Sequence, residues 1–154
     1  MKYAQYHLFR QNPHNLWPQV SYQTEMGRLV DLITASIDTV DQSKFILDRH
    51  RTIVLYKTAI YSFYFPVALA LLFCGFPVEK KNESEPDYYE LAFDILSPLG
   101  EYFQIEGGHL NFSRSLSYSG RSATEMDNRC SWCINTALKY ANSTSRAILD
   151  ADYG

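Results

Sequence analysis

The sequence predicts an all-α fold, and three observations carry that expectation. Apolar residues recur at i, i+3, i+4 and i+7 along several stretches, no stretch alternates apolar and polar residues in the manner of a strand, and Pro, Gly and polar clusters separate the stretches. The 154 residues are 46% hydrophobic and 15% aromatic, enough to build one core and far from the profile of a disordered chain. A single domain over residues 1 to 154 is expected. The net charge of −3, with Lys and Arg scattered singly or in pairs, argues against a nucleic-acid partner and against a polybasic membrane anchor.

The opening segment to Pro18 reads as irregular, with a short helix at residues 2 to 10. It lacks the uninterrupted apolar stretch of a secretory signal. From Ser21 the pattern becomes helical, with Met26, Leu29, Val30, Ile33 and Ile37 as one buried face, and a helix over 21 to 38 is expected. Ser43 is a candidate N-cap for a second helix through residue 74, in which Pro66 introduces a kink or a new start. Gly75 and Pro77 end it. A solvated loop, EKKNESEPD, leads to a third helix over 86 to 110, with Ser84, Pro86 and Asp87 as its start signals and Leu91, Ile95, Leu99, Phe103 and Leu110 as its apolar face. Residues 111 to 126 are serine-rich and read as a loop. A further helix is expected over 128 to 141, and Ser143 is a candidate cap for a last short one.

Several features admit both a functional and a plain reading. Ile60 to Val78 is long and apolar enough for a membrane span, but its two prolines and its tyrosines favour a helix buried in a bundle. Cys130-Ser-Trp-Cys133 matches CxxC, yet a zinc site needs a second ligand pair and a redox site needs a βαβ setting. Three cysteines suit a reducing compartment, so a cytoplasmic location is expected. Three sequons, at Asn82, Asn111 and Asn142, then carry no glycan. Glu106 and His109, three apart, are a weak metal pair. Lys57 and Thr58 stand in a strongly apolar helix followed by Tyr61, Phe63, Tyr64 and Phe65; a buried lysine requires an anion, and the aromatic lining suits a greasy ligand or a cation. A snorkelling lysine fits the same composition. FQIEGGHLN, residues 103 to 111, places Gly107 and Gly108 inside a helical pattern at a cost of about 1 kcal/mol each. Either this is a linker, or other residues once stood there.

The segment YKTAIYSFYFPVALAL, residues 56 to 71, resembles the lysine-threonine segment of farnesyl diphosphate synthases of the polyprenyl synthetase family. EMGRLVDLITASIDTVD (25 to 41) is similar to the preceding family helix, GEYFQI (100 to 105) to the following one, DNRCSW (127 to 132) to a further segment, and DADYG to another. The resemblance runs in order along nearly the whole chain. It implies a partial helical bundle of the isoprenoid (terpenoid) synthase type and Mg²⁺-dependent prenyl transfer between prenyl diphosphates. By resemblance, Lys57, Thr58, Tyr61 and Gln104 are the catalytic positions, and Asp31, Lys57, Arg121 and Arg129 the diphosphate-binding ones; Arg28 replaces a family glutamine.

Where the family carries its second aspartate-rich motif, Q-D-D-Y-L-D, this sequence reads Glu106, Gly107, Gly108, His109, Leu110, Asn111. Gly107 and Gly108 thus replace aspartates. Glu106 and Asn111 are weak candidate ligands and no tight metal site is expected there, because a hard divalent cation wants charged oxygens. The matching family segments belong to proteins more than twice as long, whose first aspartate-rich motif lies before the region matched here. An incomplete domain with impaired catalysis is therefore expected, as a homodimer or as a heterodimer with a full-length prenyl synthase; the alternatives are a noncatalytic partner of a full-length prenyl synthase and a terpene-synthase-like derivative.

Overall fold

The computed structural model of the chain describes residues 16–34, 43, 45–79, 82, 84–113 and 130–152. The expected helix at 2 to 10, Ile37, most of the 111 to 126 segment, Arg121 and Arg129 lie outside the described residues. Helix α1 spans Leu16–Thr34, α2 Leu47–Val54, a π-helix Leu55–Tyr64, α3 Phe65–Phe73, α4 Tyr88–Ser113, α5 Trp132–Tyr140 and α6 Ser143–Asp152. No strand occurs among the described residues.

The run from Leu47 to Phe73 is one continuous helix whose middle is π-wound. It is long and apolar enough by composition to cross a membrane, and 44% of its most apolar window is buried inside the fold. Pro66 explains the change of winding. A proline offers no N–H to the carbonyl four residues back, and its ring crowds that carbonyl. The helix neither stops nor starts afresh at Pro66. Instead the preceding turns widen, and the Phe65 N–H donates to the Ile60 carbonyl five residues back. Isolated π turns are rare and cluster at functional sites.

α1 and α4 flank this central helix, both packing chiefly on the π-wound stretch. Leu16, Val20, Ile60, Tyr64, Phe65, Ala68, Tyr89 and Phe93 form the main core. Its centre is an edge-on pair, Tyr64 against Phe93, with centroids 5.3 Å apart. A smaller core of Phe45, Cys130 and Ile134 ties α5 to the segment before α2.

Several boundaries differ from the sequence reading. α1 begins at Leu16, not Ser21, because Pro18 falls in the first turn, where the missing N–H removes no helical bond. Ser43 does not cap α2. Ile46 holds that position without a side-chain bond. Asp87 rather than Ser84 caps α4, accepting from the Glu90 N–H at 3.1 Å, and Asn142 rather than Ser143 caps α6, accepting from the Ser145 N–H at 2.8 Å. Ser131 caps α5. At the end of α3, Gly75 takes φ +78°, and the Gly75 and Phe76 N–H groups close back on Leu72 and Leu71, the left-handed termination a glycine permits. α4 runs through Gly107 and Gly108 to Ser113, so this stretch is helix and not linker.

The expected apolar faces of α1 and α4 are the larger correction. Met26, Leu29 and Ile33 are exposed, as are Leu91, Ile95, Leu99 and Phe103. Apart from Phe93 in the core, the inward faces carry smaller or more polar residues: Thr24, Gly27, Asp31 and Thr34 on α1, and Gly100 and Gln104 on α4. These sides face the π-helix because close helix contact favours small residues, leaving the bulky stripes open.

Candidate active site

Lys57 and Thr58 are neighbours in the π-helix and engage different helices. Lys57 Nζ donates to Asp31 Oδ2 of α1 at 2.6 Å, a charge-assisted bond between side chains about 23% and 16% exposed. The anion a half-buried lysine requires is therefore Asp31. Thr58, itself buried, donates its hydroxyl to Gln104 Oε1 of α4 at 3.0 Å. Tyr61 sits one turn further on and is 45% exposed, with Phe63 stacked at a tilt on Phe103, centroids 5.5 Å apart. Consecutive residues of one helix thus present an ammonium with three donors, one fixed by a carboxylate, and a hydroxyl bonded to an amide.

About two turns before Lys57, His50 is 4% exposed and its Nδ1 meets no hydrogen-bond partner among the described residues. Burial pushes its pKa below the ordinary value; the charges of Glu101 and Asp31 raise it and Arg51 lowers it, all by less. Sequence reasoning missed His50 because an isolated histidine in a helix carries no pattern. Arg51 Nε bonds Glu101 at 3.1 Å, bridging α2 to α4. A cavity of about 260 Å³ opens beside that pair, lined by Arg51, Val54, Leu55, Asp94, Ser97, Pro98 and Glu101. Neither Lys57 nor Gln104 lines it.

Other candidates separate from the group. Glu106 and His109 are exposed, and a Cβ built on Gly107 or Gly108 meets nothing within 4 Å. No group of three or more His, Cys, Asp or Glu side chains that could hold a metal occurs among the described residues. Asn111 belongs to the last turns of α4. Cys130 is buried, accepts a bond from Asn135 Nδ2 at 3.3 Å, and burial pushes its thiol pKa up, as it does for Cys133. Neither thiol is poised as a nucleophile, since reactive cysteines need lowered pKa values.

The all-helical packing of the described residues is that of the isoprenoid synthase fold. The polyprenyl synthetase family model matches residues 3–154, and the chain belongs to that family. It is 48% identical over 152 residues to the farnesyl pyrophosphate synthase of Ganoderma lucidum, covering 95% of this chain and 41% of that protein. It is 47% identical over 140 residues to the Saccharomyces cerevisiae enzyme of the same name, covering 90% of this chain and 38% of that one. The unliganded structure of T. brucei FPPS superposes with a TM-score of 0.72 at 28% identity, over 95% of this chain and 42% of its own. The chain thus spans about two fifths of the length of the relatives it matches.

Proposed function

We propose that this chain forms the diphosphate-anchoring part of a farnesyl-diphosphate-synthase-like prenyltransferase of isoprenoid biosynthesis. The observation that carries the reading is the pair of bonds at the π-helix, Lys57 to Asp31 and Thr58 to Gln104. In such a reaction the allylic C–O bond breaks and its electron pair leaves on the diphosphate. The alkene of isopentenyl diphosphate then bonds to the carbocation, and a proton is lost. Asp31 holds the Lys57 ammonium in place while two N–H donors remain to meet phosphate oxygens. The Thr58 hydroxyl oxygen, the Gln104 carbonyl and the Tyr61 ring offer negative partial charge to a developing cation. Arg121 and Arg129 are assigned diphosphate contacts by resemblance alone. Three free cysteines support a cytoplasmic setting.

The Mg²⁺ that the family uses does not fit residues 106–111. Glu106 is the lone carboxylate on that turn, and among the described residues a Cβ at either glycine beside it meets nothing within 4 Å. We therefore propose impaired metal binding on this wall. The same donor set favours a second reading, a noncatalytic chain that associates with a complete prenyl synthase. Its exposed stripes, Leu29, Leu32 and Ile33 on α1, suit burial by another chain.

Radiolabelled isopentenyl diphosphate with dimethylallyl diphosphate and excess Mg²⁺ tests the first reading. Calorimetric titration with inorganic pyrophosphate accompanies it. Binding of pyrophosphate that weakens about tenfold or more in Lys57→Ala is expected, as for loss of a charge-assisted contact. Equal binding by both proteins would remove Lys57 from the role. Pyrophosphate binding without farnesyl product favours the noncatalytic reading; product lost in Lys57→Ala favours the enzyme and refutes impairment.

A further inference from the structure

Two glycines sit one helical turn before the residues that hold Lys57 and Thr58. Gly27 precedes Asp31 by four positions on α1, and Gly100 precedes Gln104 by four on α4. Residues four apart lie on one helix face, so each glycine and its polar partner look toward the same neighbour. Both glycines are buried there. A Cβ on Gly27 would lie 2.7 Å from the Lys57 nitrogen, 2.7 Å from Tyr56 Cβ and 2.9 Å from the Tyr56 carbonyl carbon. A Cβ on Gly100 would lie 2.4 Å from Ala59 Cβ, 2.6 Å from Ala59 Cα and 3.3 Å from Phe63 Cδ2. All but Phe63 Cδ2 are backbone atoms or the first side-chain carbon, which no rotamer change can withdraw. Neither glycine has positive φ, so the backbone conformation does not require it. What requires it is the approach of a second helix. Gly107 and Gly108, on the same α4, face no such neighbour.

We propose that Gly27 and Gly100 are positioning residues that set two helix separations independently, Gly27 closing Lys57 onto Asp31 and Gly100 closing Thr58 onto Gln104. The π-winding makes this division possible, because consecutive residues of the central helix are clasped from two sides. At 2.6 Å and 3.0 Å both bonds are at full contact. A shift of α1 or α4 by the width of a methyl group takes its own pair beyond bonding distance. The other pair, on the opposite flank, keeps its geometry.

The inference concerns the geometry of the two pairs and stands whether or not the chain takes part in prenyl transfer. Its test uses two variants of the full chain and two readouts. Lysine acetylation followed by peptide mass spectrometry reads the Lys57 pairing, with Asp31→Asn as the unpaired reference and exposed Lys139 as internal control. Side-chain amide NMR reads Gln104. In Gly27→Ala, Lys57 acetylation rises severalfold, to the Asp31→Asn rate, while the Gln104 resonances stay in place. In Gly100→Ala the Gln104 resonances move and the Lys57 rate stays within about twofold of wild type, the scatter expected of an independent site. Either variant moving both readouts together, or neither, would overturn the assignment. A general loss of stability moves both and so does not imitate the expected result. Ala59→Val enlarges the Gly100 contact from the opposite side and replaces Gly100→Ala should that variant not fold. If Gly27→Ala does not fold, the α4 variants decide by the same criterion of one readout moved and one kept.

Discussion

Replacing both Gly107 and Gly108 by alanine should stabilise the protein. Both residues lie inside α4, neither has positive φ, and among the described residues a Cβ at either meets nothing within 4 Å. The substitution therefore removes the helical penalty of glycine with no packing cost. That penalty is about 0.8 to 1.0 kcal/mol per residue, so the double variant should gain about 2 kcal/mol. For a chain of this size that corresponds to a rise in Tm of about 4 to 8 °C. With a urea m-value of about 2 kcal/mol/M, the midpoint should move up by about 1 M. Far-UV circular dichroism followed through urea and thermal unfolding is the assay, with Gly100→Ala alongside. That control should move the other way by about 1 to 3 kcal/mol, the usual cost of overpacking, because its new methyl would lie 2.4 Å from Ala59 Cβ. A double variant no more stable than wild type would mean that the turn is not helical in solution, or that the space beside it is filled. Either result would refute the reading of these glycines as residues the fold does not need.

Phe93→Ala should cost about 3 to 5 kcal/mol in urea unfolding, since it empties the 5% exposed core position packed edge-on against Tyr64. Wild-type stability should fall as pH drops from about 7.5 to about 5.5, partly through His50. Its folded pKa lies below 6.5, so beneath that pH the unfolded chain takes up a proton that the folded one refuses, and above it the contribution is complete. His50→Leu should show a shallower fall across the same window, and an unchanged slope would clear His50 of the effect. Mg²⁺ titrated by calorimetry, with and without pyrophosphate, should reveal no tight site at residues 106–111. Tight binding abolished by Glu106→Gln would count against the missing-ligand argument.

The sequence made some of this legible through local chemistry. Gly75 and Pro77 marked a helix end because a left-handed termination favours glycine, and Gly75, at φ +78°, bears that out. The Lys57 requirement for an anion followed from desolvation, and the partner, Asp31, sits 26 positions away on another helix. Periodicity was a poorer guide to orientation. It located stripes at Met26, Leu29 and Ile33 and at Leu91, Ile95 and Leu99, but a stripe does not say which neighbour covers it. Contact with the π-helix went instead to the faces that allow the closest approach, where Gly27 and Gly100 sit. Pro66 announced a disturbance without its form. A break, a kink and a widened winding all answer the same missing N–H, and which one occurs depends on what packs around the helix.

The widened winding also sets the angular phase of everything after it. In an α-helix each residue advances about 100° around the axis. The stretch Leu55–Tyr64 advances more slowly, so Phe65 and Ala68 reach the core at an angle that uniform α-winding from Leu47 would miss. Loss of one residue between 55 and 64 would leave α2 and α3 intact as helices while rotating one against the other. The Trp17–Phe65 ring contact and the buried Ala68 would then turn away from α1 and α4, though no side chain of α3 had changed. This segment therefore holds its length more tightly than its letters: it admits substitution on its exposed side, at Ser62, and resists insertion or deletion anywhere along it.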